Sequence, residues 1–286
     1  YIMEQQNMTV SLLDRTTARE LMPRRSAYSQ KGDYGKILII GGSKGMSGAV
    51  AMAAQSALKC GAGLILAGVP QSINLILEQK LTEPMTLSLP EQDGKLSRDA
   101  IPAILEKLSW CDSVLIGPGM GQSEDTAEIL AQVFAKASAP VVVDADALNL
   151  LSRHMDYLDA CSAGLVLTPH SMEFSRISGL TLPEIEASRL TASEAFAQEH
   201  GVTLILKGPH TVITAPDGEQ RINTTGNPGM ASGGSGDVLA GMIAAFLARG
   251  LQEADAAALA VYLHGAAGDL AAERLGEDSM SAMDLI

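Results

Sequence analysis

The stretch KILIIGGSKGMSGAVAMAAQSALKCGAGLILAGV, residues 36–69, contains the repeating unit of the fold. Its two apolar runs, residues 36–42 and 63–69, have the length and composition of short buried strands. Between them, residues 47–61 have helical spacing and end at a glycine. A strand, a helix and a second strand in this order predict two parallel strands joined by a right-handed crossover.

The same alternation continues along the chain. Further apolar runs predict strands at residues 112–117, 140–146, 164–169 and 202–208, and helical spacing recurs at residues 125–138 and 184–201. The runs are apolar almost throughout, which is typical of strands that are buried on both faces. The sequence therefore predicts an α/β protein: a mostly parallel central sheet with helices on both faces, in three α/β/α layers.

The pattern changes after residue 208. Residues 211–223 predict a hairpin around Pro-Asp-Gly, and a glycine-rich stretch, residues 227–250, leads into an alanine-rich helix from about Ala254 to Leu275. Since no linker divides the chain, we expect one domain over residues 1–286. The first residue is not Met, and we expect Tyr1 and Ile2 to be a cloning remnant.

Composition limits the classes of function. The 286 residues are 47% hydrophobic and 19% charged, with a formal net charge of −13, which is typical of a globular protein. An acidic chain is a poor partner for nucleic acid or an anionic membrane, because both require clustered cations. The three cysteines have no pairing or zinc spacing. With no signal peptide or long apolar run, we expect a cytoplasmic protein with reduced thiols.

Polar and glycine-rich loops follow most of the predicted strands. They cover residues 41–49, 117–121, 144–149, 168–174 and 207–211. Taken singly, each is explained as a tight connection, and neither a P-loop nor a dinucleotide-binding glycine pattern is present. Together they favour a ligand site, because ligands of open parallel sheets bind beyond the carboxyl ends of the strands.

The glycine-rich stretch has a more specific interpretation if a helix begins near Asp237. Gly233, Gly234, Ser235 and Gly236 then form an anion hole of backbone N–H donors at the positive end of the helix. Asp237 is either a helix cap or a base. An anion hole beside a carboxylate is suited to phosphoryl transfer to an alcohol. We expect the helix dipole to keep Asp237 ionised, so that it mainly orients the nucleophile.

These elements resemble those of the ribokinase-like superfamily and, more closely, of the bacterial ADP-dependent NAD(P)H-hydrate dehydratases. The resemblance covers nearly the whole chain from Lys31 and is most specific in NPGMASGGSGDVLAG and DADALN. The other matching segments are KGDYGKILIIGGSKGMSGA, GAGLILAGVP, IGPGMG, LTPHSMEFSRI, LKGPHTVI and VYLHGAAGDLAA. The resemblance implies a ribokinase-like fold and an enzyme that converts hydrated NADH and NADPH back to NADH and NADPH.

The resemblance also implies roles for particular residues. Asp237 is expected to be catalytic and to contact the hydrated nicotinamide. The other substrate-binding residues implied are Ala49, Gly121 and His170. The adenine nucleotide is expected to bind Lys207, Gly208, Pro209, His210, Thr211 and Gly236. Glu173 is implied as a water-mediated contact to Mg²⁺.

Cofactors and partners follow from the same resemblance. We expect Mg²⁺, ADP or ATP as phosphoryl donor, and the S epimer of the hydrate as substrate. An epimerase on a separate protein and a homotetramer are also expected. One departure is visible: the family's His-Pro-Gly-Glu is replaced by His170-Ser171-Met172-Glu173. This changes the backbone path of that loop and the shape of the substrate pocket.

Three alternatives remain open. A ribokinase-like kinase acting on a sugar or vitamin alcohol would use the same anion hole, although no lid hairpin is evident between the early strands. A nucleotide-binding sensor without turnover has no need of Asp237. In the third interpretation, which is purely structural, every glycine-rich loop only connects a strand to the next helix and binds no ligand.

Overall fold

The computed structural model describes residues 9–286, so the expectation for Tyr1 and Ile2 lies outside the described residues. The strands are β1 Val10–Leu13, β2 Lys36–Ile40, β3 Leu64–Pro70, β4 Met85–Leu89, β5 Glu91–Gln92, β6 Lys95–Leu96, β7 Ser113–Ile116, β8 Val141–Val143, β9 Leu165–Leu167, β10 Thr203–Leu206, β11 Val212–Thr214 and β12 Gln220–Asn223. The helices are α1 Arg15–Leu21, α2 Ser47–Lys59, α3 Gln71–Lys80, α4 Ile101–Leu108, α5 Glu124–Lys136, α6 Asp146–Leu151, α7 Ser171–Ser178, α8 Leu182–Ala187, α9 Arg189–His200, α10 Ser235–Ala248 and α11 Glu253–Leu275.

Ten strands form one sheet in the order β1-β12-β11-β10-β9-β8-β7-β2-β3-β4. Only β11 runs antiparallel to its neighbours, so the predicted mostly parallel sheet and the hairpin are both confirmed. The carboxyl ends of β2, β7, β8, β9 and β10 consequently lie next to one another along a single edge.

Alternating side chains of each central strand enter two separate hydrophobic cores. In β2, Ile37 and Ile39 pack with α2, α10 and α11, whereas Leu38 and Ile40 pack with α4, α5 and α7 on the other face. All four side chains are fully buried. This two-sided burial explains why the strands are apolar at almost every position, and it is consistent with the predicted helices on both faces.

One prediction about local structure is wrong. The helix expected over residues 184–201 is interrupted at Ser188, whose φ is −142°. The Ser188 hydroxyl donates to the Glu184 carbonyl at 2.6 Å and competes there with the helical backbone N–H. The structure also contains a hairpin that was not evident from the sequence: β5 and β6 pair antiparallel, and their turn residues Asp93 and Gly94 both have positive φ.

No helix within residues 9–286 is long and apolar enough to cross a membrane.

Candidate active site

The loops after the parallel strands contact one another as predicted. The Ser43 hydroxyl, after β2, donates to the Gly119 carbonyl after β7 at 2.8 Å. The Gly121 backbone N–H donates to the Asp146 carboxylate after β8 at 2.9 Å. His170, after β9, forms an isolated parallel bridge with Lys207. Residues from five consecutive strand ends therefore meet at this edge.

A cation and a carboxylate lie together at the centre of the edge. The Lys207 Nζ atom is 3.1 Å from Asp144 Oδ1, and the Thr168 hydroxyl donates to the same oxygen at 2.6 Å. The Asp144 side chain is only 2% exposed. Removing both charges from water is costly, and the close ion pair with its added hydrogen bond offsets that cost.

Glu173 adds a second carboxylate to this group. Its Oε2 atom is 3.9 Å from Lys207 Nζ and accepts the backbone N–H of His170 at 3.0 Å. In return, His170 Nδ1 accepts the Glu173 backbone N–H at 3.2 Å, which makes a capping box at the start of α7. His170 and Glu173 thus form reciprocal hydrogen bonds even though Ser171 and Met172 replace the Pro-Gly pair of the family.

Helix α10 begins two residues before Asp237, at Ser235, because Gly234 takes the left-handed conformation with φ of 98° and ends the loop. Asp237 is therefore the third helical residue. The backbone N–H groups of Gly236 and Asp237 have no helical acceptor at this position. A Cβ built on Gly236 would lie 3.3 Å from Lys207 Nζ, so the helix start directly faces this half-buried cation.

The expectation that the helix dipole keeps Asp237 fully ionised at neutral pH is wrong. Burial raises the pKa of Asp237, Asp144 and Asp146 raise it as well, and Lys207 lowers it; together these effects bring the pKa to about 7. Desolvation and the two negative neighbours outweigh the helix dipole. A carboxyl group that titrates near neutrality can accept a proton at physiological pH.

Lys207 is held in its charged form. Burial lowers its pKa, but Asp144, Glu173 and Asp237 raise it more strongly, so that the pKa lies above the usual value for lysine. We call these four residues the charge cluster. Its positive centre between carboxylates, beside free N–H donors, is suited to binding a phosphoryl group while a neighbouring base receives a proton.

The predicted nucleotide segment after β10 extends from the charge cluster to the surface. Gly208, Pro209 and His210 are exposed. The Thr211 hydroxyl donates to the Gly208 carbonyl at 3.0 Å, which closes the turn. Arg189, a residue that the sequence analysis did not identify, donates to the carbonyls of Leu206 and Lys207 at 3.0 and 3.3 Å.

Arg189 had no sequence signal, because it lay inside the helix predicted over residues 184–201. Asp144 and Thr168 did have a sequence signal, because each directly follows a buried strand, although the sequence analysis gave neither residue a role.

The opposite part of the edge is built from Ala49, Gly121 and the β5–β6 hairpin; we call it the substrate side, because the resemblance implies that Ala49 and Gly121 bind substrate. Ala49 is buried in the first turn of α2. A Cβ on Gly121 would lie 2.6 Å from Lys95 Cδ, and one on Gly94 would lie 2.6 Å from Lys44 Cβ. The lysine stems therefore pack directly against glycine backbone, and the hairpin covers this side.

Within residues 9–286, no three His, Cys, Asp or Glu side chains are grouped as direct metal ligands. Mg²⁺ at nucleotide sites is often bound through one or two carboxylates, with substrate phosphates and water completing its shell. Glu173 fits that arrangement, since it offers carboxylate oxygens within the charge cluster.

Comparison with known proteins gives consistent results. The family model described as NAD(P)H-hydrate dehydratase matches residues 37–286. A bifunctional NAD(P)H-hydrate repair enzyme from Moorella thermoacetica is 47% identical over 98% of this chain and 53% of its own length. A homologue with the same name from Escherichia coli is 40% identical over 93% of this chain and 48% of its own. The chain spans about half the length of these relatives.

Among solved structures, the ADP/ATP-dependent NAD(P)H-hydrate dehydratase from Bacillus subtilis, co-crystallised with ATP and Mg²⁺, superimposes with a TM-score of 0.82 at 30% identity. The match covers 97% of this chain and 95% of that one. A ribokinase-like superfamily protein from Enterococcus faecalis matches with a TM-score of 0.85 at 29% identity, over 96% and 92% of the two chains. The ribokinase-like fold is therefore confirmed.

Proposed function

The chain belongs to the NAD(P)H-hydrate dehydratase family, and from this premise we propose that it dehydrates the S epimer of hydrated NADH and NADPH, with ADP or ATP as phosphoryl donor. The observation that carries the proposal is the position of Asp237. Its carboxyl group lies in the first turn of α10, next to Gly236 and Lys207, and its pKa of about 7 suits a base.

The first step is phosphoryl transfer. The C6 hydroxyl oxygen of the hydrate attacks the terminal phosphorus of the nucleotide, and the bond to the nucleotide's bridging oxygen breaks. Asp237 takes the hydroxyl proton. Lys207 and the N–H groups of Gly236 and Asp237 stabilise the negative charge on the transferred group.

The second step restores the ring. The lone pair of the ring nitrogen expels phosphate from C6, with its bonding electrons, and transfer of the C5 proton to the released phosphate then forms the C5–C6 double bond. The net change is loss of water from the hydrate and hydrolysis of one phosphoanhydride. A site built for alcohol phosphorylation therefore performs a dehydration.

The remaining predicted residues complete the proposal. Ala49, Gly121 and His170 line the hydrated nicotinamide, and residues 207–211 hold the adenine nucleotide. Mg²⁺, when bound with the phosphates near Glu173, neutralises their charge. That the Bacillus subtilis enzyme was co-crystallised with ATP and Mg²⁺ supports these two components. A homotetramer, a cytoplasmic location and an epimerase in the same repair route remain predictions.

The test follows the near-ultraviolet absorbance of reduced nicotinamide. Purified protein is mixed with Mg²⁺ and hydrated NADH or NADPH, and ADP and ATP are added in separate reactions. We expect nucleotide-dependent recovery of absorbance by the unmutated chain and none by Asp237→Ala. Nucleotide binding without recovery from either hydrate would reject the dehydratase activity.

A small-molecule kinase is the second candidate, and one observation favours it. The β5–β6 hairpin covers the substrate side, so the argument from a missing lid no longer holds. The kinase function would be established if the protein phosphorylates a sugar or vitamin alcohol and releases a stable phosphate ester without elimination.

A further inference from the structure

Helix α11 contains a buried histidine that the proposed reaction does not use. His264 is 8% exposed and lies in a helix whose other buried residues are mostly alanine. A polar ring in such surroundings is costly unless it is hydrogen-bonded. The Nε2 atom of His264 is 3.3 Å from the Ser235 hydroxyl, the first side chain of α10.

Burial lowers the pKa of His264 to about 4, and nearby Lys207 lowers it in the same direction, whereas hydrogen bonding to the Ser235 backbone raises it. The ring is therefore neutral at physiological pH and carries no charge to the site. In a neutral imidazole, Nε2 either accepts the hydrogen of the Ser235 hydroxyl or donates its own N–H to the hydroxyl oxygen, and either role orients that hydroxyl.

Helix α11 also forms hydrogen bonds with the beginning of the glycine-rich loop. The Asp269 carboxylate accepts the Gly226 backbone N–H and the Asn227 side-chain amide, each at 3.0 Å. Asp269 thus fixes the beginning of the loop, and His264 fixes its end at Ser235. The loop between these points includes Gly229, Gly233 and Gly234, and glycines lose the most conformational freedom when they are ordered.

We propose that His264 is a positioning residue of the phosphoryl-transfer site, and that it acts through the Ser235 hydroxyl to hold the start of α10 in the phosphate-binding conformation. Ser235 immediately precedes Gly236 and Asp237, so movement at Ser235 displaces both N–H donors and the Asp237 carboxyl group. The inference rests on the proposed function, because it takes this helix start to be where the phosphoryl group binds.

The test is a double-mutant cycle on the full chain. Calorimetry measures the affinity for ATP with Mg²⁺ in the unmutated protein, His264→Met, Ser235→Ala and the double variant. Loss of one hydrogen bond predicts about 3- to 10-fold weaker binding in either single variant. Because His264 acts through Ser235, His264→Met adds no further loss in the Ser235→Ala background.

Conservative and matched variants separate positioning from general stability. His264→Gln keeps a polar group near the Nε2 position, and we expect it to restore most of the affinity. His200→Met and Ser193→Ala remove a histidine and a buried serine from α9 and leave the affinity unchanged. If His264→Met does not fold, Ser235→Ala and His264→Gln still decide the question.

Affinity at the unmutated level in Ser235→Ala or His264→Met would overturn the inference, as would losses that simply add in the double variant. Failure of the unmutated chain to bind either ATP or ADP would instead remove the proposed function, and the inference with it. The two failures are distinguished because one occurs in the variants and the other in the unmutated protein.

Discussion

At the charge cluster, two buried carboxylates and two half-buried ionisable groups interact with one another, whereas at the substrate side glycine backbone packs against the stems of surface lysines. The cluster places Asp144, Glu173 and Asp237 around Lys207 beside a helix start. The substrate side brings the β5–β6 hairpin onto Gly121 through Lys95. Both regions lie at the same edge of one sheet.

The difference predicts how each region responds to change. Charges buried close together interact strongly, so that one substitution changes the pKa values of the others. Contacts of a flexible lysine stem with backbone can be partly recovered by side-chain movement. We therefore expect large, coupled effects at the charge cluster and small, local effects at the substrate side.

Asp237→Asn is the strongest test of the first half of this comparison. The amide keeps the size of the side chain but cannot accept the hydroxyl proton, so we expect kcat to fall about 10²- to 10⁴-fold. Steady-state turnover of the hydrate measures the loss, with the exposed Asp278→Asn as control. Near-normal turnover by Asp237→Asn would show that another group is the base.

Lys207→Met removes the positive centre of the cluster. It leaves Asp144 buried without its ion pair, so we expect unfolding free energy to fall by about 3 kcal/mol and nucleotide to bind much more weakly. Denaturant titration and calorimetry measure the two effects. Adding Asp144→Asn should restore stability without restoring binding; a double variant as unstable as Lys207→Met would contradict the coupling.

The pH dependence of the unmutated protein tests the titration of Asp237. The base must be deprotonated, and its pKa of about 7 lies in the neutral range. We expect kcat/KM to be constant above that pH and to fall about tenfold per pH unit below it. Because Lys207 lowers the pKa of Asp237, any residual activity of Lys207→Met should rise at higher pH. A profile that is flat through neutrality would contradict this assignment.

Gly121→Ala probes the substrate side and should have the smallest effect. Its Cβ would lie 2.6 Å from Lys95 Cδ, at a φ of 72°. We expect about 1 kcal/mol of lost stability from the left-handed conformation and a severalfold higher KM for the hydrate, with the affinity for nucleotide unchanged.

Gly45→Ala is the matched control for that substitution. Gly45 has a φ of 92°, and a Cβ there meets no atom within 4 Å. It should lose similar stability while keeping the KM of the unmutated protein. Equal KM values for the two variants would show that the contact with Lys95 does not shape the substrate side.

The same contrast explains what the sequence could predict. The central strands were predictable because each is buried on both faces and therefore apolar throughout, and the start of α10 was predictable from its glycines. The β5–β6 hairpin was missed because each of its strands has two residues, too few to show alternation. Strands β1 and β4 lie at the edges of the sheet, where one side of each strand is unpaired and the apolar pattern is weaker.

The electrostatics of the site were less accessible to sequence reasoning. The proximity of Asp237 to Asp144, Asp146 and Lys207 joins residues that are far apart in the chain, and local sequence supports only the helix dipole. His264 lay in a quoted motif, but nothing in its neighbours indicated Ser235 as its partner. Burial and long-range contacts decide these properties.

The pairing of β1 with β12 has a consequence for how the protein is made. The Leu13 carbonyl accepts the Thr224 hydroxyl across 211 positions of chain. During translation, β1 therefore leaves the ribosome long before β12, its neighbour in the sheet, has been synthesised, while the central strands can already assemble. We expect this edge of the sheet to form only after β12 has been synthesised.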